Sequence, residues 1–267
     1  MGIVNITPDS FFDGGNYFSE QAALKRVELL LAAGADLLDI GGYSSRPSAA
    51  FVSEQEELER LIPVVRSISR AFPHAVLSID TFRAEVARQS VDAGAHIIND
   101  ISGGTLDSRM FETVAALQVP YILMHMRGTP QDMQSHTDYE DVTREVNLFF
   151  AERVAQLRAL GVKDIILDPG FGFAKTLDQN YELLSRLEEL QLWGLPILGA
   201  ISRKSMIYRK LGIDPKDALN GTTVLNTILL MKGVQILRVH DVQEARQACL
   251  LTNDAARTHF SVSGYKV

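Results

Sequence analysis

The sequence predicts an α/β chain that closes a single (β/α)8 barrel. Three observations carry this. Eight short aliphatic or β-branched runs alternate with longer helical patterns along 267 residues. Eight βα units are accommodated in about 250 residues. The runs are apolar almost throughout, as parallel strands covered on both faces must be. The rival is a doubly wound open sheet, which usually has fewer strands and a glycine-rich first turn. No G-x-G-x-x-G follows the first run, and no G-x-x-x-x-G-K-[ST] occurs anywhere.

The expected strands are residues 2–6, 36–40, 75–79, 96–99, 121–124, 164–167, 196–200 and 234–239. Seven helices are expected between them, with a last one over 242–257. The first helical pattern, SEQAALKRVELLLAAG, starts at Ser19. The second starts at Ser53, and Glu56 three residues on completes a capping-box pattern. DYEDVTREVNLFFAERVAQLRALG reads as a long amphipathic helix stopped by Gly161. No linker, low-complexity tract or charge block interrupts the chain, so residues 1–267 read as one domain. TPDSFFDGGNYF and GGYSSRPSAAF follow the first two strands and are rich in Gly, Ser, Pro and Asp. They read as long, mobile βα loops at the catalytic end, placed to act as lids.

Composition narrows the function. Hydrophobic residues are 46% and charged residues 22%, as in an ordinary globular protein. Lys and Arg number 26 against 33 Asp and Glu, a net charge of −7. No global basic field exists to hold nucleic acid or an anionic membrane, so an anionic ligand needs a local cluster. The one cysteine, Cys249, excludes an intrachain disulfide and every multi-cysteine zinc site, and it reads as buried packing. No apolar run reaches the ~18 residues of a membrane helix. The first residues show neither a basic n-region nor an apolar h-region, which makes a cytoplasmic protein the expectation.

Polar residues collect at the carboxyl ends of the expected strands: Asn5, Asp39, Asp80, Asn99, His125, Asp168, residues 202–205, and Arg238 with His240. In a barrel these ends meet on one face, where active sites are built. The three aspartates and two asparagines suit a flat heterocycle with adjacent N–H donors, because an ionised carboxylate accepts two bonds side by side. Arg46, Lys204, Arg238 and His240 suit a phosphate or diphosphate. Oxygen donors without cysteine suit a hydrated hard cation such as Mg²⁺. Plainer readings stand beside these. Asp39 could brace the glycines after it, His125 could be a hydrogen-bonded core histidine, Asp168 a turn residue before Pro169-Gly170, and Lys204 a surface lysine at a helix start. His74, His96 and His136 have no metal-ligand spacing.

NITPDSFFDGG, GGYSSRP, SIDT, IINDI, LMHM, LDPGFGFAK, SRKSMI and RVHDV occur in that order across nearly the whole chain. Together they resemble the dihydropteroate synthase family. The resemblance implies a (β/α)8 barrel that condenses 6-hydroxymethyl-7,8-dihydropterin diphosphate with p-aminobenzoate, giving 7,8-dihydropteroate and diphosphate for folate synthesis. It implies small-molecule substrates, Mg²⁺, inhibition by sulfonamides and a homodimer built from late helices, here ALNGTTVLNTILLMKG.

The resemblance also implies roles for particular residues. Asn5 meets Mg²⁺ and diphosphate, while Asp80, Asn99 and Asp168 hold the pterin edge. Lys204 touches the pterin and borders the p-aminobenzoate pocket. Arg238 and His240 bind diphosphate, with Arg238 also over the pterin ring. Asp80, Asp168, Lys204 and Arg238 form the catalytic set. Ser45 and Arg46 reach diphosphate, while Ser45, Pro47, Phe173, Lys204 and Ser205 line the p-aminobenzoate pocket. Ile101 and Met124 pack on the pterin.

Three positions depart from the family pattern: Tyr43 where GGESTRP has Glu, Ser45 where it has Thr, and Ala174 where GFGFGK has Gly. Ser45 keeps the hydroxyl needed at phosphate. Two other pterin-directed readings remain: methyl transfer from methyltetrahydrofolate to a corrinoid protein, and an inactive pterin- or phosphate-binding protein. The first has no use for SRKS and RVH, and the charged residues present weigh against the second. A Schiff-base aldolase using Lys204 is the remaining barrel alternative.

Overall fold

The computed structural model describes residues 1–6, 15–43 and 52–261; the side chains of 15–19 and 256–261 fall outside that description. Loop residues Ser45, Arg46 and Pro47, and both expected lids in the main, lie outside the described residues.

All eight expected strands form: β1 (Gly2–Asn5), β2 (Leu37–Gly41), β3 (Val76–Asp80), β4 (Ile97–Asp100), β5 (Tyr121–Met124), β6 (Ile165–Asp168), β7 (Leu198–Gly199) and β8 (Ile236–Leu237). β1 to β6 pair in sequence order, every pair parallel. β7 pairs with β8, also parallel. Two single bridges close the ring, Leu167 with Ile197 and Gly2 with Val239. The Ile3 N–H donates to the Val239 carbonyl at 3.0 Å, and the Val239 N–H to that of Met1 at 2.9 Å. The result is a closed (β/α)8 barrel without an open sheet edge.

Between the strands lie α1 (Gly15–Ala32), α2 (Glu54–Ala71), α3 (Ala84–Asp92), α4 (Met110–Leu117), α5 (Val142–Ala159), α6 (Leu177–Ser185), α7 (Ser205–Leu211) and α8 (Leu219–Met231); α9 (Val242–Ser261) follows β8. The expectation of seven intervening helices falls one short, because the β7–β8 connection carries both α7 and α8. Gly212, with φ +65°, separates them, and a left-handed residue ends a helix. α1 starts at Gly15, one turn before Ser19. α9 runs to Ser261, beyond the expected Arg257. Ser53 caps α2 by accepting the Glu56 N–H at 3.2 Å, but the Glu56 carboxylate binds Arg60. The reciprocal capping box is on α6, between Thr176 and Gln179.

Two apolar layers result. Outward residues such as Leu38, Ile40, Leu77, Ile79 and Ile98 join the helices in the main core. Met1, Ile97, Ile122, Leu198 and Ala200, with Leu37, Val76, Ile166 and Ile236, fill the lumen. Side chains alternate along a strand. The residues two and four places past that lumen layer therefore face inward at the carboxyl end, and they include Asp39, Asp80, Asn99, Asp168, Lys204 and Arg238. Cys249 is half-buried against the main core, less enclosed than expected.

Candidate active site

Strand register lines up the polar ends of the first four strands. Asn5 lies beside Gly41, Gly41 beside Asp80, and Asp80 beside Asn99. Asp168 lies beside Met124. One layer below, Asp39 lies beside Ser78.

Asp39 is fully buried and is the hub of the cluster. It accepts the Ser78 hydroxyl at 2.6 Å, the Asn99 amide at 3.0 Å and the Arg238 Nε–H at 2.6 Å. Arg238 donates its Nη2 to Asp80 at 2.8 Å. One guanidinium thus bridges two carboxylates. Among the described residues, the partners of Asp39 are these three side chains rather than the glycines after it. Burial pushes the Asp80 carboxyl up to about 7, with Arg238 opposing and Asp39 adding to the rise. Burial pulls the Arg238 guanidinium down, but Asp39 and Asp80 outweigh it and leave it raised.

Asp168 is buried, and its Oδ1 accepts the Gly170 N–H at 2.8 Å. It is both a turn residue and a presented carboxylate, since this bond fixes its rotamer. Burial raises its pKa, and Lys204 is the largest opposing influence. Gly170 has φ +71°, and a Cβ there would fall 2.0 Å from the His125 carbonyl oxygen. Only glycine lets the loop after β6 lie this close to β5.

Lys204 is half-buried and caps α7 with its backbone. Its Nζ donates to the Phe171 carbonyl at 2.6 Å and lies 4.7 Å from the Phe173 ring centroid. The cation–ring contact and the carbonyl hold it inside the site, not on the surface. Burial lowers its pKa to about 8. Ser205, half-buried, opens α7 beside it.

His240 is held by Ser202, whose Oγ accepts the His240 backbone N–H and lies 3.1 Å from Nδ1. Burial, then Arg238, lowers the imidazole to about 4, so the ring is neutral at pH 7. With Nδ1 accepting the Ser202 hydroxyl, Nε2 carries the hydrogen. Ile101, Met124, Met126, Met133 and Ala174 form a separate apolar cluster, with Phe82 and Phe173 against it. Asn5 is exposed at the end of β1.

Two of the departures have visible consequences. Tyr43 is buried edge-on against Phe82, with centroids 5.2 Å apart. Its hydroxyl oxygen accepts the Gln131 amide at 2.5 Å, and the Arg83 guanidinium lies 5.6 Å from its ring. Arg83 also bonds the carbonyl of Val52 at 2.5 Å. Ala174 has φ +48° and is fully buried. That left-handed conformation costs a side-chain-bearing residue about 1–2 kcal/mol, which is why glycine suits the position.

Sequence alone leaves the buried Asp100 and Lys175 without a role and Asp39 without its partners. Asp39 stands among the strand-end aspartates suited to a heterocycle edge, whereas the structure ties it to Ser78, Asn99 and Arg238. Asp100 is fully buried, binding the Tyr121 hydroxyl at 2.6 Å and the Ser102 and Gly104 N–H groups at 2.7 and 2.8 Å. Lys175 is buried against His125, which is itself a core histidine. The charged residue ending GFGFAK was the available signal for Lys175.

Residues 1–240 match the family model described as pterin binding enzyme. The dihydropteroate synthase of Escherichia coli strain K12 is 46% identical over 250 residues, covering 93% of this chain and 88% of that protein. That of Synechocystis is 46% identical over 252 residues, covering 93% and 87%. Among solved structures, a Clostridium difficile dihydropteroate synthase determined with pteroic acid superposes with a TM-score of 0.90 at 36% identity, covering 95% of both chains. The Xanthomonas albilineans enzyme with 4-aminobenzoic acid gives 0.89 at 39% identity, covering 96% of this chain and 92% of that one. A Yersinia pestis enzyme in a sulfonamide complex gives 0.88 at 42% identity, covering 96% and 93%. Similarity along the whole barrel, with the strand-end cluster intact, means that the chain belongs to the pterin-binding enzymes and, within them, to the dihydropteroate synthases, transferases of folate biosynthesis.

Proposed function

We propose that the strand-end cluster of this chain condenses 6-hydroxymethyl-7,8-dihydropterin diphosphate with p-aminobenzoate. The observation that carries the assignment is the Asp39–Arg238–Asp80 chain at the carboxyl end of the lumen, with Asn99 hydrogen-bonded to it and Asp168 within the electrostatic reach of Lys204 and Arg238. Donors along the pterin edge meet Asp80, Asp168 and the Asn99 carbonyl oxygen, while Ile101 and Met124 supply an apolar surface for the ring.

The diphosphate leaves from the methylene carbon as the C–O bond breaks, taking the electron pair. The resulting cation is delocalised into the electron-rich dihydropterin. Asp80 and Asp168 favour that positive charge. Arg238 and the Nε2–H of His240 meet the leaving diphosphate. Ser45 and Arg46, outside the described residues, are expected to join them. The neutral amine of p-aminobenzoate then forms the C–N bond and loses a proton, so no strong general base is needed. Phe173, the Lys204 stem and Ser205 receive the second substrate, with Pro47 expected from the second loop.

Among the described residues no group of three His, Cys, Asp or Glu side chains forms a metal site. A single amide oxygen from Asn5 fits a cation that keeps most of its water and is held chiefly by the substrate diphosphate, as Mg²⁺ is. Mg²⁺ bound there would supply charge neutralisation on the leaving group. Sulfonamides, which resemble p-aminobenzoate in shape and charge, are expected to compete for its pocket. A homodimer is part of the proposal. α8 and α9 pack together and leave Val224, Met231, Leu250 and Leu251 exposed. No helix among the described residues is long and apolar enough to cross a membrane, and the proposed location is the cytoplasm.

The test is product analysis. Pterin diphosphate, p-aminobenzoate and Mg²⁺ incubated with the protein should give 7,8-dihydropteroate by mass spectrometry. Absence of that product, or methyl transfer from methyltetrahydrofolate instead, overturns the assignment.

A further inference from the structure

We propose that Lys175 is a positioning residue for the second substrate: its ammonium shapes the loop after β6 so that Phe173 stands against Lys204 as a wall of the p-aminobenzoate pocket. This rests on the assignment of that pocket made above.

The loop runs from Asp168 to Thr176, which caps α6. Its first residue faces one substrate and Phe173 the other. Lys175 points back beneath it and is 3% exposed. Its Nζ donates to the Gly170 carbonyl at 3.0 Å, to the Phe173 carbonyl at 3.1 Å and to His125 Nδ1 at 3.0 Å. An ammonium has three hydrogens and here meets three acceptors. Burial, with Lys175 and Arg127, lowers the His125 pKa well below its ordinary value. The ring is therefore neutral, with Nδ1 as acceptor and the hydrogen on Nε2.

The charged groups facing Lys175 are Asp168, which favours its charge, and Lys204 and Arg127, which oppose it. Burial is the largest influence and lowers the amine to about 7. An ammonium is costly to place there, and an apolar side chain would fill the volume without that cost. What an apolar side chain lacks is donors for two loop carbonyls. Lys204 takes the carbonyl between them, that of Phe171. Two lysines therefore grip three carbonyls of one short loop, Lys204 from the β7 side and Lys175 from beneath.

The grip is uneven. Asp168 has its own tie, the Gly170 N–H. Both ties of the Phe173 backbone run through Lys175: its carbonyl accepts from the ammonium, and its N–H donates at 3.1 Å to the Gly170 carbonyl that the ammonium also holds. Loss of the ammonium should then free Phe173 while the pterin carboxylate stays in place.

The experiment compares the full-length wild type with Lys175→Met, a near-isostere without donors. The KM for p-aminobenzoate should rise about tenfold or more, while the KM for pterin diphosphate stays within about threefold. With ¹⁵N-labelled histidine, the His125 Nδ1 resonance should shift, because its donor is gone. If Met does not fold, Lys175→Gln, which retains two donors, should show the same split at smaller size. An unchanged KM for p-aminobenzoate overturns the inference. So does an equal rise in both KM values with a lowered melting temperature, which marks a purely structural lysine. Wild-type turnover separates the two proposals: no dihydropteroate from wild type defeats the assignment of function, while normal wild-type turnover with an unchanged variant defeats only the role of Lys175.

Discussion

Asp80 is one residue through which pH should act on the pterin edge. Its carboxyl is raised to about 7 by burial, against the pull of Arg238. Below that pH it is protonated, loses its charge and offers the pterin edge a weaker acceptor. The kcat/KM for pterin diphosphate, which reports the free enzyme, should fall as pH drops below about 7. Asp80→Asn should lack that limb, which separates it from ionisation of the substrate diphosphate. A wild-type profile flat from pH 5.5 to 8 contradicts the role. Asp168→Asn tests the other carboxylate, turning one acceptor into a donor facing donors. Calorimetry should show pterin binding weaker by about 1–3 kcal/mol in a folded protein. Unchanged affinity would leave Asp168 only its turn bond to Gly170. At this scale the sequence was informative about residue type and silent about partners. Asp80, Asn99, Asp168, Lys204 and Arg238 stand out because an apolar run ends on each or just before it. Asp39 is visible at its strand end, but its partners are not, because one of them, Arg238, lies 199 residues away. Lys175 escaped because its acceptors are mostly backbone carbonyls, which composition does not show.

Elements place these residues, and the loops after β2, β3 and β5 are joined by contacts that this chain makes through Tyr43. Its ring meets Phe82, its hydroxyl meets Gln131, and Arg83 links its ring to Val52 across the second loop. Tyr43→Phe keeps the ring contacts and removes one hydrogen bond. It should lower stability by about 1 kcal/mol, read as a small fall in melting temperature with the KM for pterin diphosphate unchanged. A loss of several kcal/mol would mean that the hydroxyl holds more than Gln131. Element identity was legible because strand runs and helical periods differ plainly. Boundaries were less so. Glu56 matches a capping box by spacing, yet Arg60 one turn on competes for its carboxylate. The reciprocal box is made by Thr176 and Gln179, where the loop after β6 enters α6. The split between α7 and α8 turns on the left-handed Gly212, a backbone choice that periodicity does not report.

Taken as a whole, the barrel makes a strand-end cluster whose charges come from distant parts of the chain. Closure through the Leu167–Ile197 and Gly2–Val239 bridges brings β8 beside β1, and Arg238 beside Asp39 and Asp80. The global charge of −7 is then irrelevant to the local field at the strand ends. Counting eight apolar runs was enough to reach this architecture. The pairing of Arg238 with two carboxylates was not legible, because it exists only once the ring is closed. The central claim is that this closed cluster carries out condensation with loss of diphosphate. The most direct measurement follows diphosphate release and dihydropteroate formation together, in wild type and in Arg238→Ala shown by its melting curve to be folded. The account predicts dihydropteroate and diphosphate in equal amounts when p-aminobenzoate is present, and no dihydropteroate without it. It also predicts a fall in kcat/KM of about 30- to 1,000-fold for the variant, equivalent to about 2–4 kcal/mol. Wild-type rates retained by Arg238→Ala, or diphosphate released without dihydropteroate although p-aminobenzoate is present, would contradict it.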